Sequence, residues 1–126
     1  MDVNARAASD YIARILHGVT MAHMHHLTVM GPGAYAAHMA LGELYSGLQA
    51  KADELAEAII GCYDVPLVFS GGSVTITDNP IADVAALYEY VESERAACGY
   101  ESHIQNIVDE VCTVLAQALY KLRRLQ

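Results

Sequence analysis

Imidazoles crowd one short stretch of this chain. His17, His23, His25 and His26 fall close together, and His38 follows beyond a Gly31-Pro32-Gly33 break. Apolar positions at Ala8, Tyr11, Ile12, Ile15, Leu16, Val19 and Ala22 recur in steps of three and four, the period of an amphipathic helix. His23 and His26 extend that stripe from Val19, which places them on the packed side and turns His25 elsewhere. A single inward imidazole is usually a hydrogen-bonded core residue; several near one turn raise the prospect of a metal site. His26 lies five residues before Gly31 and His38 five after Gly33, so the two sit at similar heights across a helical hairpin. Farther on, Asp53 and Glu57 are four residues apart and share a helix face. That pair reads either as a solvated stripe or as half of a site for a hard cation.

The elements that position these groups are legible from periodicity and breakers. Helices are expected at about 4–30, 33–60, 80–97 and 101–125, with an irregular crossover over 61–79. Gly61 is read as the end of the second helix. Val65–Phe69 and Val74–Thr77 suggest a short extended piece within the crossover. Asp78-Asn79-Pro80 supplies a cap followed by proline at the first helical position. The fourth helix carries the apolar stripe Ile104, Ile107, Val108, Val111, Leu115, Leu119 and Leu122. Two hairpins joined by one long connection predict a single all-α domain over 1–126, a four-helix bundle of the ferritin-like arrangement.

Distance then limits what the candidate ligands can do. His38 and Asp53 are fifteen residues apart on one helix, or about 22 Å at 1.5 Å per residue. One ion cannot touch both in a single straight helix. Each pair must find partners on the third and fourth helices, or the pairs must meet between subunits. The intra-subunit di-metal bundle uses Glu-x-x-His on two helices, and the sequence contains none. The spacing therefore predicts an intersubunit site, one chain's histidines facing another's carboxylates.

Composition narrows the function. Hydrophobic residues make up 54 % and charged residues 17 %, which is apolar enough to suggest burial against other copies. With a net charge of −8, the chain is a poor candidate for nucleic-acid binding, which needs cationic contacts to phosphate. Acidity suits the attraction of cations instead. Cys62, Cys98 and Cys112 are odd in number and lack metal-type spacing, so they are expected to be quiet thiols in a reducing cytoplasm. Neither a secretory signal nor a membrane-spanning run is expected.

The stretch Ala22-His23-Met24-His25-His26-Leu27-Thr28-Val29-Met30-Gly31-Pro32 resembles the signature T-H-N-x-H-W-x-V-x-G-P of the Dps family, the iron-mineralising mini-ferritins. The likeness continues without a gap through Tyr35, His38 and Glu43-Leu44-Tyr45 to Asp53-Glu54-Leu55-Ala56-Glu57, and Ala118–Arg123 resembles the family's closing L-W-x-L-R. The resemblance implies a ferroxidase-type centre between twofold-related subunits, with His26, His38, Asp53 and Glu57 as ligands. It also implies a homo-oligomer, a dodecamer in the family, that oxidises Fe(II) with peroxide or oxygen and stores ferric iron in a hollow shell. Gly42 stands where the family has another carboxylate ligand, which implies a weakened iron site. Leu27 replaces the tryptophan after the first ligand, Ala58 replaces an arginine, and no lysine-rich arm is present. The alternative expectation is a structural or interaction module, such as a phage-particle component, that keeps the fold with a degenerate metal site.

Overall fold

The computed structural model describes residues 2–126. Helix α1 covers Ala5–Thr28 and begins where the Asn4 side chain accepts a hydrogen bond from the Ala7 N–H at 2.9 Å, relieving one of the orphan donors of a helix start. Gly31 and Gly33 take positive φ in the turn that follows, and helix α2 then runs over Ala34–Tyr63. It continues past Gly61, contrary to expectation. Nothing lies near the missing Cβ of Gly61, and the reversal falls on Asp64, left-handed at φ 51. Aspartate tolerates that conformation better than most residues, and Pro66 shortly after prevents the helix from resuming.

Helix α3 covers Pro80–Ser93, shorter than expected at its C-terminal end. Asn79 caps it by accepting from the Ala82 N–H at 3.1 Å, with Pro80 just inside. A 3-10 turn at Arg95–Cys98 leads to helix α4, Ser102–Arg124. Arg95 ties this corner down: its guanidinium reaches Gln105 Oε1 at 2.8 Å and Asp109 at 2.5 Å. No strand occurs among the described residues, so the β-leaning stretches of the crossover pair with nothing. None of their helices is long and apolar enough to cross a membrane.

The protein is therefore all-α. Helix α1 packs on α2 and α3, and α4 packs on the same two. One apolar core, including Tyr11, Ile15, Leu41, Leu48, Leu87 and Leu115, fills the space between them. The crossover follows the outside of α1. Val68 N–H donates to Ser9 Oγ at 2.8 Å, Gly72 packs against His17, and the Thr77 N–H reaches Asp83, which is bonded to His25. The connection thus returns the chain to the end of the bundle where α2 began, and α3 starts beside the α1–α2 turn. The Tyr11 hydroxyl donating to the Val91 carbonyl at 2.6 Å fixes the opposite ends of α1 and α3 together.

Candidate metal centre

The α1–α2 seam brings His26 and His38 into direct contact. Their rings stack with centroids 3.7 Å apart and planes inclined by 17°. Each ring also bonds the other residue's backbone: His26 Nδ1 to the His38 carbonyl, and His38 Nδ1 to the His26 carbonyl, both at 2.7 Å. A carbonyl oxygen only accepts, so both Nδ1 atoms carry the proton. In the neutral ring, each Nε2 then keeps a lone pair. Histidine ligands to metals typically have this arrangement, one nitrogen donating to a fixed acceptor while the other is open. The helices supply it because the short turn holds two residues at equal height on facing surfaces.

Two further rings belong to the cluster. Tyr45 meets His26 edge-on, with centroids 5.3 Å apart, and stacks on His23 at 4.2 Å. Tyr45 follows His38 by two helical turns and so shares its face, a spacing that marks it as a neighbour of the pair. His23 is exposed and His26 half-buried, whereas His25 is only 4 % exposed. The expected facing of these histidines is thus corrected. The buried stripe steps through Ile15, Gly18, Ala22 and His25 rather than through Val19 and His23.

Gly42 lies under the pair. A Cβ at this position would stand 3.2 Å from His26 Cε1 and 3.3 Å from its Nδ1, tighter than ordinary van der Waals contact. A residue larger than glycine here would press on the imidazole.

Asp53 and Glu57 are exposed on α2, well away from the histidines along the helix. Among the described residues, no group of three or more His, Cys, Asp or Glu side chains is placed to hold a metal. Asp53 and Glu57 nevertheless lie on an outer face that borders the histidine pair. At about 100° per residue, Tyr35, Met39, Asp53 and Glu57 all fall roughly 60–100° around α2 from His38. His23 and Leu27 occupy the same offsets from His26 on α1. Because the helices are antiparallel, these offsets turn toward the same side of the hairpin. Leu27 is 69 % exposed and Tyr35 is 77 % exposed, with Met30 at the turn more so. The face therefore has an imidazole and apolar end and a carboxylate end.

A second polar cluster, unforeseen in the sequence, lies on the other side of α1. His25 Nε2 meets Asp83 Oδ2 at 2.7 Å, while the Thr77 N–H and hydroxyl donate to the same carboxylate, each at 2.8 Å. Burial opposes ionisation of Asp83, but the Thr77 N–H, His25 and the Thr77 hydroxyl together hold its carboxyl below the usual range. The cluster joins three separate segments, α1, the crossover and α3, and only its histidine stands out in the sequence as a candidate group. The cluster borders a cleft of about 380 Å³ at the bundle end. The cysteines are chemically quiet where they are enclosed. Burial pushes Cys98 up to about 12, and burial with a hydrogen bond to Glu92 does the same to Cys112; Cys62 is exposed.

Residues 26–122 match the model of a family of unknown function, DUF5856. No curated protein and no solved structure matches the chain.

Proposed function

We propose, for a chain that belongs to the DUF5856 family of unknown function, that it binds Fe(II) between copies of itself, oxidises it and retains ferric iron within a hollow homo-oligomer. The observation that carries this reading is the reciprocal bonding of the half-buried His26 and His38, which engages both Nδ1 atoms and leaves the Nε2 lone pair of each neutral ring free, beside an exposed face of the hairpin. That face also carries Asp53 and Glu57. If two hairpins meet antiparallel across a twofold axis, the imidazole end of one lies on the carboxylate end of the other, completing a mixed donor set twice. Imidazole suits Fe(II) and carboxylate oxygen suits Fe(III), so such a set accommodates both states of the substrate metal. Exposed Leu27, Met30 and Tyr35 supply apolar surface for the contact. The helix neighbours and the one long crossover fit a ferritin-like bundle.

A second reading, a structural module with a degenerate site, draws on the same cluster. Stacked His23, Tyr45, His26 and His38 rings also make a packed seam that needs no ion. Ferrous loading in air, followed by native mass measurement, separates the two. Storage gives a brown particle of high mass whose iron uptake disappears in His38→Ala and in Glu57→Gln. A colourless protein with no iron retained refutes storage and favours the structural reading.

A further inference from the structure

We propose that Gly42 is a positioning residue: the room left by its missing Cβ seats the His26 ring against His38 and so fixes both imidazoles as Nδ1–H tautomers. This deepens the reading of the His26–His38 site given above, although its geometry stands without any metal. Gly42 first presents itself as a lost ligand, because the resemblance places a carboxylate there. The structure gives it another task. His26 has its ring face against His38 at 3.7 Å and Tyr45 at 5.3 Å in an edge contact. Its Nδ1 is held at 2.7 Å from the His38 carbonyl. A Cβ at position 42 would lie within 3.3 Å of that same nitrogen. The ring could yield only by moving relative to the stack or by lengthening the bond that sets the tautomer.

The pairing is reciprocal, so the consequence extends to His38. Displacing the α1 segment that carries His26 also moves the His26 carbonyl, the acceptor for His38 Nδ1. Glycine is a poor residue in a helix interior, and α2 contains it here with ordinary helical geometry rather than at a turn. Close approach of the His26 ring supplies the reason for its presence.

The test uses the full chain with 15N-labelled histidine, without added metal, at a pH of about 9, well above the ordinary imidazole range near 6.5. Imidazole 15N NMR distinguishes a protonated Nδ1 from a protonated Nε2. In the unaltered protein, His26 and His38 should both show protonated Nδ1 and unprotonated Nε2. In Gly42→Ala the His26 signals should move toward the mixed tautomers of a free imidazole, while the His25 signals stay in place. Thermal melting supplies a second readout. Gly42→Ala should lower Tm in the natural background and raise it in the His26→Ala background, where the space is vacant and only the gain in helix propensity remains. Either imidazole protonated at Nε2 in the unaltered chain would overturn the proposal, as would an Nδ1–H pair that Gly42→Ala leaves unchanged. If Gly42→Ala fails to fold, folding restored by adding His26→Ala supports the proposal and continued failure overturns it. A correctly set pair that takes up no Fe(II) or Co(II) would refute the metal reading and leave this inference intact.

Discussion

Removing the Asp83 carboxylate should destabilise the protein more than most single substitutions. In Asp83→Ala, His25 and Thr77 lose their common acceptor; His25 is only 4 % exposed, whereas Thr77 can turn to water. Leaving the buried His25 without its partner costs about 1–3 kcal/mol and losing the Thr77 bonds about 1 kcal/mol more, roughly 2–4 kcal/mol together, against a total stability of roughly 5–15 kcal/mol for a domain. At about 3–5 °C per kcal/mol for a chain of this length, the expected fall in Tm at pH 7 is roughly 6–20 °C. Urea unfolding followed by circular dichroism gives the free energy directly. The pH dependence identifies the cause. Asp83 is held below its unfolded value of about 3.9, so its contribution is fully present above that pH. It is lost as pH falls through the folded value. The gap between natural protein and Asp83→Ala should therefore narrow as pH falls below about 4. A variant within about 1 kcal/mol of the natural protein at pH 7, or a gap unchanged at pH 2.5, would refute the reasoning.

Neither His38→Ala nor Glu57→Gln alone should bind Fe(II), but mixed oligomers of the two should, because each such pair of chains retains one site with an intact histidine end and an intact carboxylate end. Equal silence of the mixture, with mixed oligomers demonstrated by native mass spectrometry, would dispose of an intersubunit centre. Duplex DNA should not be retarded at physiological salt, given the net charge of −8; a retarded complex that weakens steeply with salt would reveal a cationic surface. Gly61→Ala should raise stability by about 0.5–1 kcal/mol, since Gly61 lies within α2 and has open space at its Cβ position. A loss on urea titration would mean that the helix does end there, as the sequence suggests.

Much of this architecture is written in local signals. The turn at Gly31-Pro32-Gly33 and the Asn79-Pro80 start of α3 depend on the backbone preferences of a few adjacent residues, and both appear where the sequence places them. So does the registration of His26 with His38, which needs only equal distances from one turn. The facing of His23 and His25 was misread because a 3.6-residue period leaves two plausible continuations after Val19, and partners on α3 select between them. Gly61 and Asp64 competed as helix ends, and intrinsic preference favoured the wrong one. The Asp83 cluster and the fit of Gly42 beneath His26 depend on contacts between distant segments, for which no short window of residues carries a signal. Gly42 shows the limit most clearly, since absence of a side chain reads as lost chemistry until the neighbouring ring is placed.

The path of the crossover has a consequence for the tolerance of this chain to changes in length. Its contacts at Ser9 and near His25 are sixteen residues apart along α1, or about 24 Å of helix. Nine peptide steps, from Val68 to Thr77, must cover that distance, and fully extended chain supplies roughly 30–32 Å over nine steps. The slack amounts to about two residues. Removing one or two residues from Gly71–Ser73 should leave both moorings in reach, whereas removing four should pull either Val68 from Ser9 or Thr77 from Asp83 and free the start of α3. Added residues meet no such bound, because loop closure becomes only slowly less favourable with length. Natural variation in this segment should therefore be lopsided, rich in insertions and nearly closed to deletions.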